Sequence, residues 1–177
     1  TLEENLSWPR LNIEDEKLCL KSQLDNFTLS ASSYLSFLDL STGGPESLLE
    51  GHLLSLPRAK STNMAFGTAI HAALEYAQIA VNSGKLSTPR ILERYTESLK
   101  EQSLPILDYS RFLDHGKQLL TKLLASDTFW LSKGGLPEQS LNDIIIGNAR
   151  VKGTLDRINQ HEDTLTIIDY KTGKPLG

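Results

Sequence analysis

Three shortages limit what this sequence can encode. Cys19 is the only cysteine among 177 residues, which excludes an internal disulfide framework and any iron–sulfur cluster or zinc site built from several thiolates. No apolar run approaches the roughly 20 residues that cross a bilayer. Positive charge is also scarce, since 18 Lys and Arg face 22 Asp and Glu for a net charge of −4. We therefore predict a cytoplasmic protein with no membrane contact, whose binding of any polyanion is local.

The length and composition are those of one globular domain. Apolar residues make up 39% of the chain and charged residues 23%, enough to bury a core. Residues 1–25 are polar and show no clear period, so we interpret them as a linker or lead-in to a folded domain over residues 26–177. The first residue is Thr1 rather than Met, which indicates a fragment or a processed chain.

The first two thirds of the chain carry helical patterns. A short helix is predicted after a cap at Ser30 or Ser32, and Gly43-Gly44-Pro45 should end it. Apolar periodicity, caps and breakers then predict three longer helices. These cover Asn63–Ser83, with Gly84 as the left-handed residue that ends it, Ser87–Lys100 and Leu107–Leu124.

The character of the chain changes after Gly134-Gly135. Strand-like segments cover Leu141–Ile146, Ala149–Ile158 and Leu165–Tyr170, with a tight-turn signal at Gly147-Asn148 and a polar turn within residues 160–163. We predict a three-stranded antiparallel meander after a helical region, which is a mixed α/β (α+β) fold with its helices and strands segregated.

Two carboxylates occupy costly positions in these strands. Asp156 and Asp169 each lie beside apolar neighbours, so each needs a cation, hydrogen-bond donors or a metal. Asp169 and Lys171 share a strand face, and Asp156 joins them only if the loop between the strands has an even number of residues. Such a group suits Mg²⁺ or Mn²⁺ and phosphodiester hydrolysis. The alternative is structural ion pairing, Asp156 with Arg157 or Asp169 with Lys171.

His71 adds a candidate nitrogen ligand from the Ala-rich helix. Glu75 follows one turn later on the same face, where it can orient the imidazole or join a metal shell. Gly67, one turn earlier, allows another chain segment or a phosphate to come close. The alternative is that His71 is a packed and hydrogen-bonded residue without a ligand.

Three blocks of sequence together resemble the RecB-like nucleases of the PD-(D/E)XK superfamily. They match in order and spacing: Gly67-Thr-Ala-Ile-His71-Ala-Ala-Leu-Glu75, then Gly153-Thr-Leu-Asp156-Arg157-Ile, then Ile167-Ile-Asp169-Tyr170-Lys171-Thr-Gly173-Lys174. The resemblance extends over about residues 28–174 and includes the helix start at Ser32 and Glu138 before the first predicted strand. It implies a restriction-endonuclease-like core in residues 26–177.

The resemblance also implies a role for individual residues. The metal ligands would be His71, Asp156, Asp169 and the backbone carbonyl of Tyr170, with Mg²⁺ or Mn²⁺ as the ion. Lys171 would be the catalytic lysine, acting with the two aspartates. Glu75 and Arg157 look like supporting residues. Lys174 and Ser32 are candidate contacts to DNA phosphates, although a solvated or capping role is the alternative for both.

The implied activity is DNA cleavage, by an exonuclease or endonuclease that works in repair or recombination with a helicase module or subunit. Relatives with four cysteines hold an iron–sulfur cluster, which this chain with its single cysteine cannot. The family core continues with a helix and a strand that we do not find before Gly177, so we expect a truncated chain, one that is inactive alone or forms a homodimer through the exposed sheet. The alternative function is a non-catalytic DNA-binding or scaffolding module derived from a nuclease.

Overall fold

The structure is a computed structural model, and it describes residues 20–57, 61–126 and 131–173. The chain forms two compact units. The first comprises Thr1–Arg58 and Asn142–Gly153, and the second comprises Ala59–Leu141 and Thr154–Gly177. None of the described helices is long and apolar enough to cross a membrane.

The first unit contains short helices. Residues 20–25 are helical, in a part of the chain for which the sequence indicates no regular structure. Helix α1 is Ala31–Leu38 and α2 is Gly44–Leu48, which continues as a π-helical turn over Leu49–Leu53. Of the two candidate caps, Ser30 is the one used, because its hydroxyl accepts the backbone N–H of Ser33 at 3.1 Å and satisfies a free donor of the first turn.

Three longer helices dominate the second unit. Helix α3 is Thr62–Asn82, α4 is Thr88–Glu101 and α5 is Ile106–Leu124, within one or two residues of the bounds predicted from the sequence. The cap of α3 is Ser61 rather than Asn63. Gly84 has a φ of 66°, the left-handed conformation expected where this helix ends.

The core of the second unit forms around the Ala-rich face of α3. Ala69, Ala73 and Ala77 are completely buried, and their small side chains allow the neighbouring helices to approach closely. Leucine, isoleucine and aromatic side chains from α4 and α5 fill the remaining space, so burial rather than local helix propensity stabilises this unit. The largest of them are Ile91, Tyr95, Leu99, Phe112 and Leu120.

The strands form one three-stranded sheet in the order β1-β2-β3. β1 is Leu136–Ile146, β2 is Ala149–His161 and β3 is Thr164–Ile168. The predicted antiparallel meander is therefore confirmed, although β1 begins five residues earlier and β2 ends three residues later than the sequence indicates. The β2–β3 turn is limited to Glu162 and Asp163, and the ladder runs from His161↔Thr164 to Arg157↔Ile168.

Candidate metal centre

Four elements of the second unit bring polar groups together beside a groove, which two of these residues, His71 and Glu138, line. His71 comes from α3, Glu138 from β1, Asp156 from β2 and Tyr170 from the segment that follows β3. The groove has a volume of about 510 Å³. Its lining residues are Met64, Gly67, Thr68, His71, Ala72, Glu75 and Glu138.

Both nitrogens of the His71 ring face oxygen atoms. Nδ1 lies 3.2 Å from Asp156 Oδ1, and Nε2 lies 3.1 Å from the carbonyl oxygen of Tyr170. A neutral imidazole has only one N–H, so one of these contacts would set a lone pair against an oxygen. A cation bound at one ring nitrogen would remove this conflict.

The donor set fits a hard divalent cation. One ligand atom from each of His71, Glu138 and Asp156 lies within 4.8 Å of the others. Neighbouring ligand atoms of an octahedral ion with bonds of about 2.1 Å are about 3 Å apart, and the 3.1 Å between His71 Nε2 and the Tyr170 carbonyl oxygen agrees with that separation. Carboxylate and carbonyl oxygens with one imidazole are ligands for Mg²⁺ or Mn²⁺.

Glu138 is the residue of this group to which sequence reasoning gave no role. Burial raises the pKa of its carboxyl group, the negative charges of Asp156 and Glu75 raise it further, and His71 opposes them. Its backbone has a φ of 45°, a conformation that costs a non-glycine residue about 1–3 kcal/mol and that concentrates at functional sites. The sequence signal for Glu138 was that it is an acidic residue just before the first predicted strand. In the structure this strand begins earlier, at Leu136, so Glu138 lies inside β1.

Asp169 and Lys171 form an ion pair beside this centre. Lys171 Nζ lies 2.8 Å from Asp169 Oδ2 and 3.2 Å from Oδ1. The hydrogen bond and charge of Asp169 raise the pKa of Lys171, and the charge of Asp156 contributes in the same direction. One of the two ion pairs offered as an alternative to a metal site is therefore present, and it holds the ammonium group within the field of the Asp156 carboxylate.

The β2–β3 hairpin sets the register that leads to the two aspartates. Its loop has two residues, an even number, and the ladder stops at Arg157↔Ile168, so continuing the same register would set Asp156 opposite Asp169. The chain instead leaves the ladder there, and the Tyr170 N–H donates to Asp156 Oδ2 at 2.5 Å. Asp156 thus contacts both His71 and the main chain of Tyr170.

The remaining predicted residues have different settings. Glu75 lines the groove, and Arg157 is completely buried with its Nε donating to Asn159 Oδ1 at 3.0 Å. A Cβ atom added to Gly67 would lie 3.1 Å from Thr172 Oγ1, so this glycine does allow a close approach, by the segment that follows Lys171. Ser32 belongs to the first unit, where its hydroxyl lies 3.0 Å from that of Ser30. Lys174 lies outside the described residues.

The fold and the site together define a class of protein. Helices beside a three-stranded antiparallel sheet, with Glu138 and Asp156 on strands and Lys171 just after β3, are consistent with a restriction-endonuclease-like fold and its candidate metal site. The family model of the PD-(D/E)XK nuclease superfamily matches residues 49–177. The chain belongs to the PD-(D/E)XK nuclease superfamily. Comparison with curated proteins and with solved structures gives no match.

Proposed function

We propose that this protein is a divalent-metal-dependent deoxyribonuclease of the RecB-like type that hydrolyses phosphodiester bonds. The observation that carries the proposal is the placement of His71, with one ring nitrogen 3.2 Å from Asp156 and the other 3.1 Å from the Tyr170 carbonyl oxygen. Membership of the superfamily supports the nuclease class. The Glu138 carboxylate and the adjacent Lys171 ammonium supply the further charges that hydrolysis of a phosphodiester needs.

Each residue has a proposed task. His71, Asp156, Asp169, Glu138 and the Tyr170 carbonyl would hold Mg²⁺ or Mn²⁺, which when bound lowers the pKa of a water molecule and neutralises charge on a phosphoryl oxygen. Lys171 would orient the attacking water or stabilise the charge that develops on the phosphate. Asp169 fixes the direction of that ammonium and raises the pKa of Lys171 through a hydrogen bond and its charge. Glu75 would support His71, while Lys174 and Ser32 would contact DNA phosphates.

The biological setting is part of the same proposal. We place the nuclease domain in residues 26–177, after a lead-in over residues 1–25, within a helicase–nuclease that acts in the repair or recombination of DNA in the cytoplasm. The single cysteine supports the reducing compartment. The exposure of Leu165 at 65% and Ile167 at 60% on β3 supports a homodimer that covers this strand, and light scattering that finds only monomer at high protein concentration would contradict that part.

Cleavage and metal binding of the whole chain test the proposal together. We expect Mn²⁺ to bind in calorimetry and labelled single- or double-stranded DNA to be cut in Mg²⁺ or Mn²⁺. Lys171→Gln should reduce the cleavage rate about 100-fold or more while Mn²⁺ still binds. Lys133→Gln is the matched control, because Lys133 is also exposed but lies in the loop before β1, and it should cleave at the unaltered rate.

The same measurements identify the alternative. A chain that binds DNA in a salt-sensitive manner but shows no Mn²⁺ affinity and no cleavage would be a non-catalytic DNA-binding or scaffolding module. Cleavage that survives both Asp169→Ala and Lys171→Gln would contradict the proposed mechanism.

A further inference from the structure

Another cavity of the second unit lies where helix α3 ends and helix α4 begins. We call it the α3–α4 pocket, and its volume is about 500 Å³. It is lined by the last turns of α3, by the loop between the two helices and by the first turn of α4. The lining residues are Tyr76, Ile79, Ala80, Ser83, Lys85 and Arg90. None of them lines the groove beside the candidate metal centre, so the α3–α4 pocket is a separate feature of the molecule.

The charge of the α3–α4 pocket is positive. Lys85 and Arg90 are its two charged side chains, both at exposed positions, in a protein whose net charge is −4. Among the described residues neither cation has a carboxylate partner, whereas Arg94 on the same helix pairs with Glu97 at 3.9 Å. The larger groove between α4 and α5 differs, because two glutamates line it beside its cations. The α3–α4 pocket therefore suits an anion.

Hydrogen bonds fix the backbone of the loop that carries Lys85. Gly84 has a φ of 66°, its N–H donates to the Val81 carbonyl oxygen at 3.0 Å, and the N–H of Lys85 donates to that of Ala80 at 2.8 Å. These two bonds form a Schellman motif, which occupies carbonyl groups at the end of α3. The Ser83 hydroxyl also donates to carbonyl oxygens of α3. The ammonium and guanidinium groups are thus the side-chain donors left for a ligand.

The α3 side of the pocket offers an aromatic ring and an aliphatic side chain. Tyr76 is half-buried and packs against the core of the second unit, which restrains its ring. Ile79 follows about one turn later and is 50% exposed. Proteins that bind single-stranded nucleic acids combine cations for the backbone with aromatic side chains on which bases stack. Paired bases of a duplex are already stacked on each other, so this combination favours a single strand.

Helix α3 connects the pocket to the candidate metal centre. Ile79 follows His71 by eight residues, which is about 12 Å along the helix axis and about 80° around it. A strand with a rise of about 3.4 Å per nucleotide covers that distance in about four nucleotides. The pocket is therefore close enough to hold a strand whose other part lies at the metal centre.

We propose that the α3–α4 pocket binds single-stranded DNA away from the site of cleavage, with a phosphate between Lys85 and Arg90 and the adjoining base against Tyr76. The proposal deepens the proposed function, because it rests on DNA being the substrate and names the form of DNA that is held. Phosphate contacts position a strand without reading its sequence, and stacking on a ring accepts every base. The pocket would thus hold the substrate strand without sequence preference.

DNA binding by the whole chain in EDTA tests the pocket in the absence of cleavage. We expect labelled oligothymidine to bind in fluorescence anisotropy, and Lys85→Gln and Arg90→Gln each to weaken its binding about fivefold. Each variant should also reduce the slope of log affinity against log salt by about 0.7, the value for one lost phosphate contact of a single strand. Mn²⁺ affinity should not change, because neither residue belongs to the candidate metal centre.

Lys100→Gln is the matched control. It removes the same charge from an exposed position of α4, about 15 Å along the helix from Arg90, and it should retain both the affinity and the salt slope. If Lys85→Gln and Arg90→Gln bind oligothymidine as tightly as this control, the proposal is overturned. Failure of the unaltered chain to bind oligothymidine overturns it as well.

Tyr76→Leu tests the contact with a base. It keeps an apolar side chain against the core and removes the ring, so we expect binding of oligothymidine to weaken about tenfold. Binding of an abasic oligonucleotide of the same length, which has the phosphates without the bases, should not change. Equal weakening of both probes would overturn the contact between Tyr76 and a base, because a general effect on the fold affects both probes alike.

Two further probes identify what the pocket holds. Inorganic phosphate should displace oligothymidine only at a far higher concentration, and displacement at equal concentration would show that the pocket takes free phosphate. Duplex DNA should lose little affinity in Lys85→Gln, and a loss equal to that of oligothymidine would overturn the preference for a single strand. If the unaltered chain binds oligothymidine but does not cut it in Mn²⁺, the proposed nuclease function fails, and the measurements in EDTA still decide whether the pocket binds DNA.

Discussion

At the scale of single residues, Glu138 is a candidate ligand whose position has a cost to stability. Its carboxylate is half-buried beside Asp156 and Glu75, whose negative charges add to the effect of burial and raise its pKa. A carboxyl group with a raised pKa is less stable as an anion in the folded protein than in the unfolded chain. A bound cation would neutralise this repulsion, so the repulsion makes the binding free energy of a cation more favourable.

Glu138→Gln should therefore have opposite effects on stability and on metal binding. Removal of the charge relieves the repulsion, so we expect a higher unfolding temperature in EDTA at pH 7, and loss of a ligand should weaken Mn²⁺ binding at least tenfold. Thermal unfolding and calorimetry measure the two effects. Glu93→Gln, at an exposed position of α4, is the control and should change neither. A lower unfolding temperature in EDTA for Glu138→Gln would show that the carboxylate stabilises the metal-free fold.

At the scale of elements, the packing of α4 against α5 depends on the absence of a side chain at Gly116. Gly116 on α5 is buried against the ring of Tyr95 on α4, and a Cβ atom there would lie 2.1 Å from the Tyr95 hydroxyl oxygen. Tyr95 itself has no exposed surface, and its hydroxyl is bonded to the carbonyl oxygen of Phe112. The missing side chain at Gly116 thus permits this ring to lie between the helices.

Gly116→Ala should destabilise the protein although alanine favours helices. The gain of about 1 kcal/mol in helix propensity is smaller than the cost of displacing a buried ring, and we expect a net loss of about 1–3 kcal/mol in the free energy of unfolding. Urea denaturation measures it. Gln118→Ala, at an exposed position of the same helix, should stay within about 0.5 kcal/mol of the unaltered chain. An unchanged midpoint for Gly116→Ala would contradict this expectation, because it would show that α4 and α5 accommodate the added methyl group without a net cost in stability.

At the scale of the whole molecule, metal binding and folding should be linked. The candidate ligands come from positions far apart in the sequence, as shown by the contact between His71 and Tyr170 across 99 positions. An unfolded chain cannot present them together, so an ion that binds them binds only the folded state. Its binding free energy then adds to the stability of the fold.

Mn²⁺ should consequently raise the unfolding temperature of the whole chain, and EDTA should reverse the rise. At a free Mn²⁺ concentration about 100 times the dissociation constant, the added stability is about 2.7 kcal/mol, and differential scanning fluorimetry detects such a shift. His71→Ala should abolish most of it. His161→Ala is the control, because His161 is exposed at the end of β2 and should leave the shift intact. An equal shift in both variants would place the ion elsewhere.

The sequence by itself determined the helices, the meander and most of the candidate ligands. Helix α3 was predictable from its alanine-rich interior and the glycine after it, and the Glu162-Asp163 turn has the even number of residues that the predicted register of Asp156 and Asp169 requires. These features depend on neighbours along the chain, where caps, turns and periodicity act. The superfamily motif carries the same local information, and the match over residues 49–177 confirms it at that level.

Only the tertiary structure decided which groups meet. Glu138 joins His71 and Asp156 within 4.8 Å, and the carbonyl oxygen of Tyr170 faces His71 Nε2. No local pattern encodes these contacts, because each depends on how β1, β2 and α3 pack and on where the last ladder pair ends. Long-range packing sets the direction of a side chain or a carbonyl, and sequence spacing alone does not specify that direction.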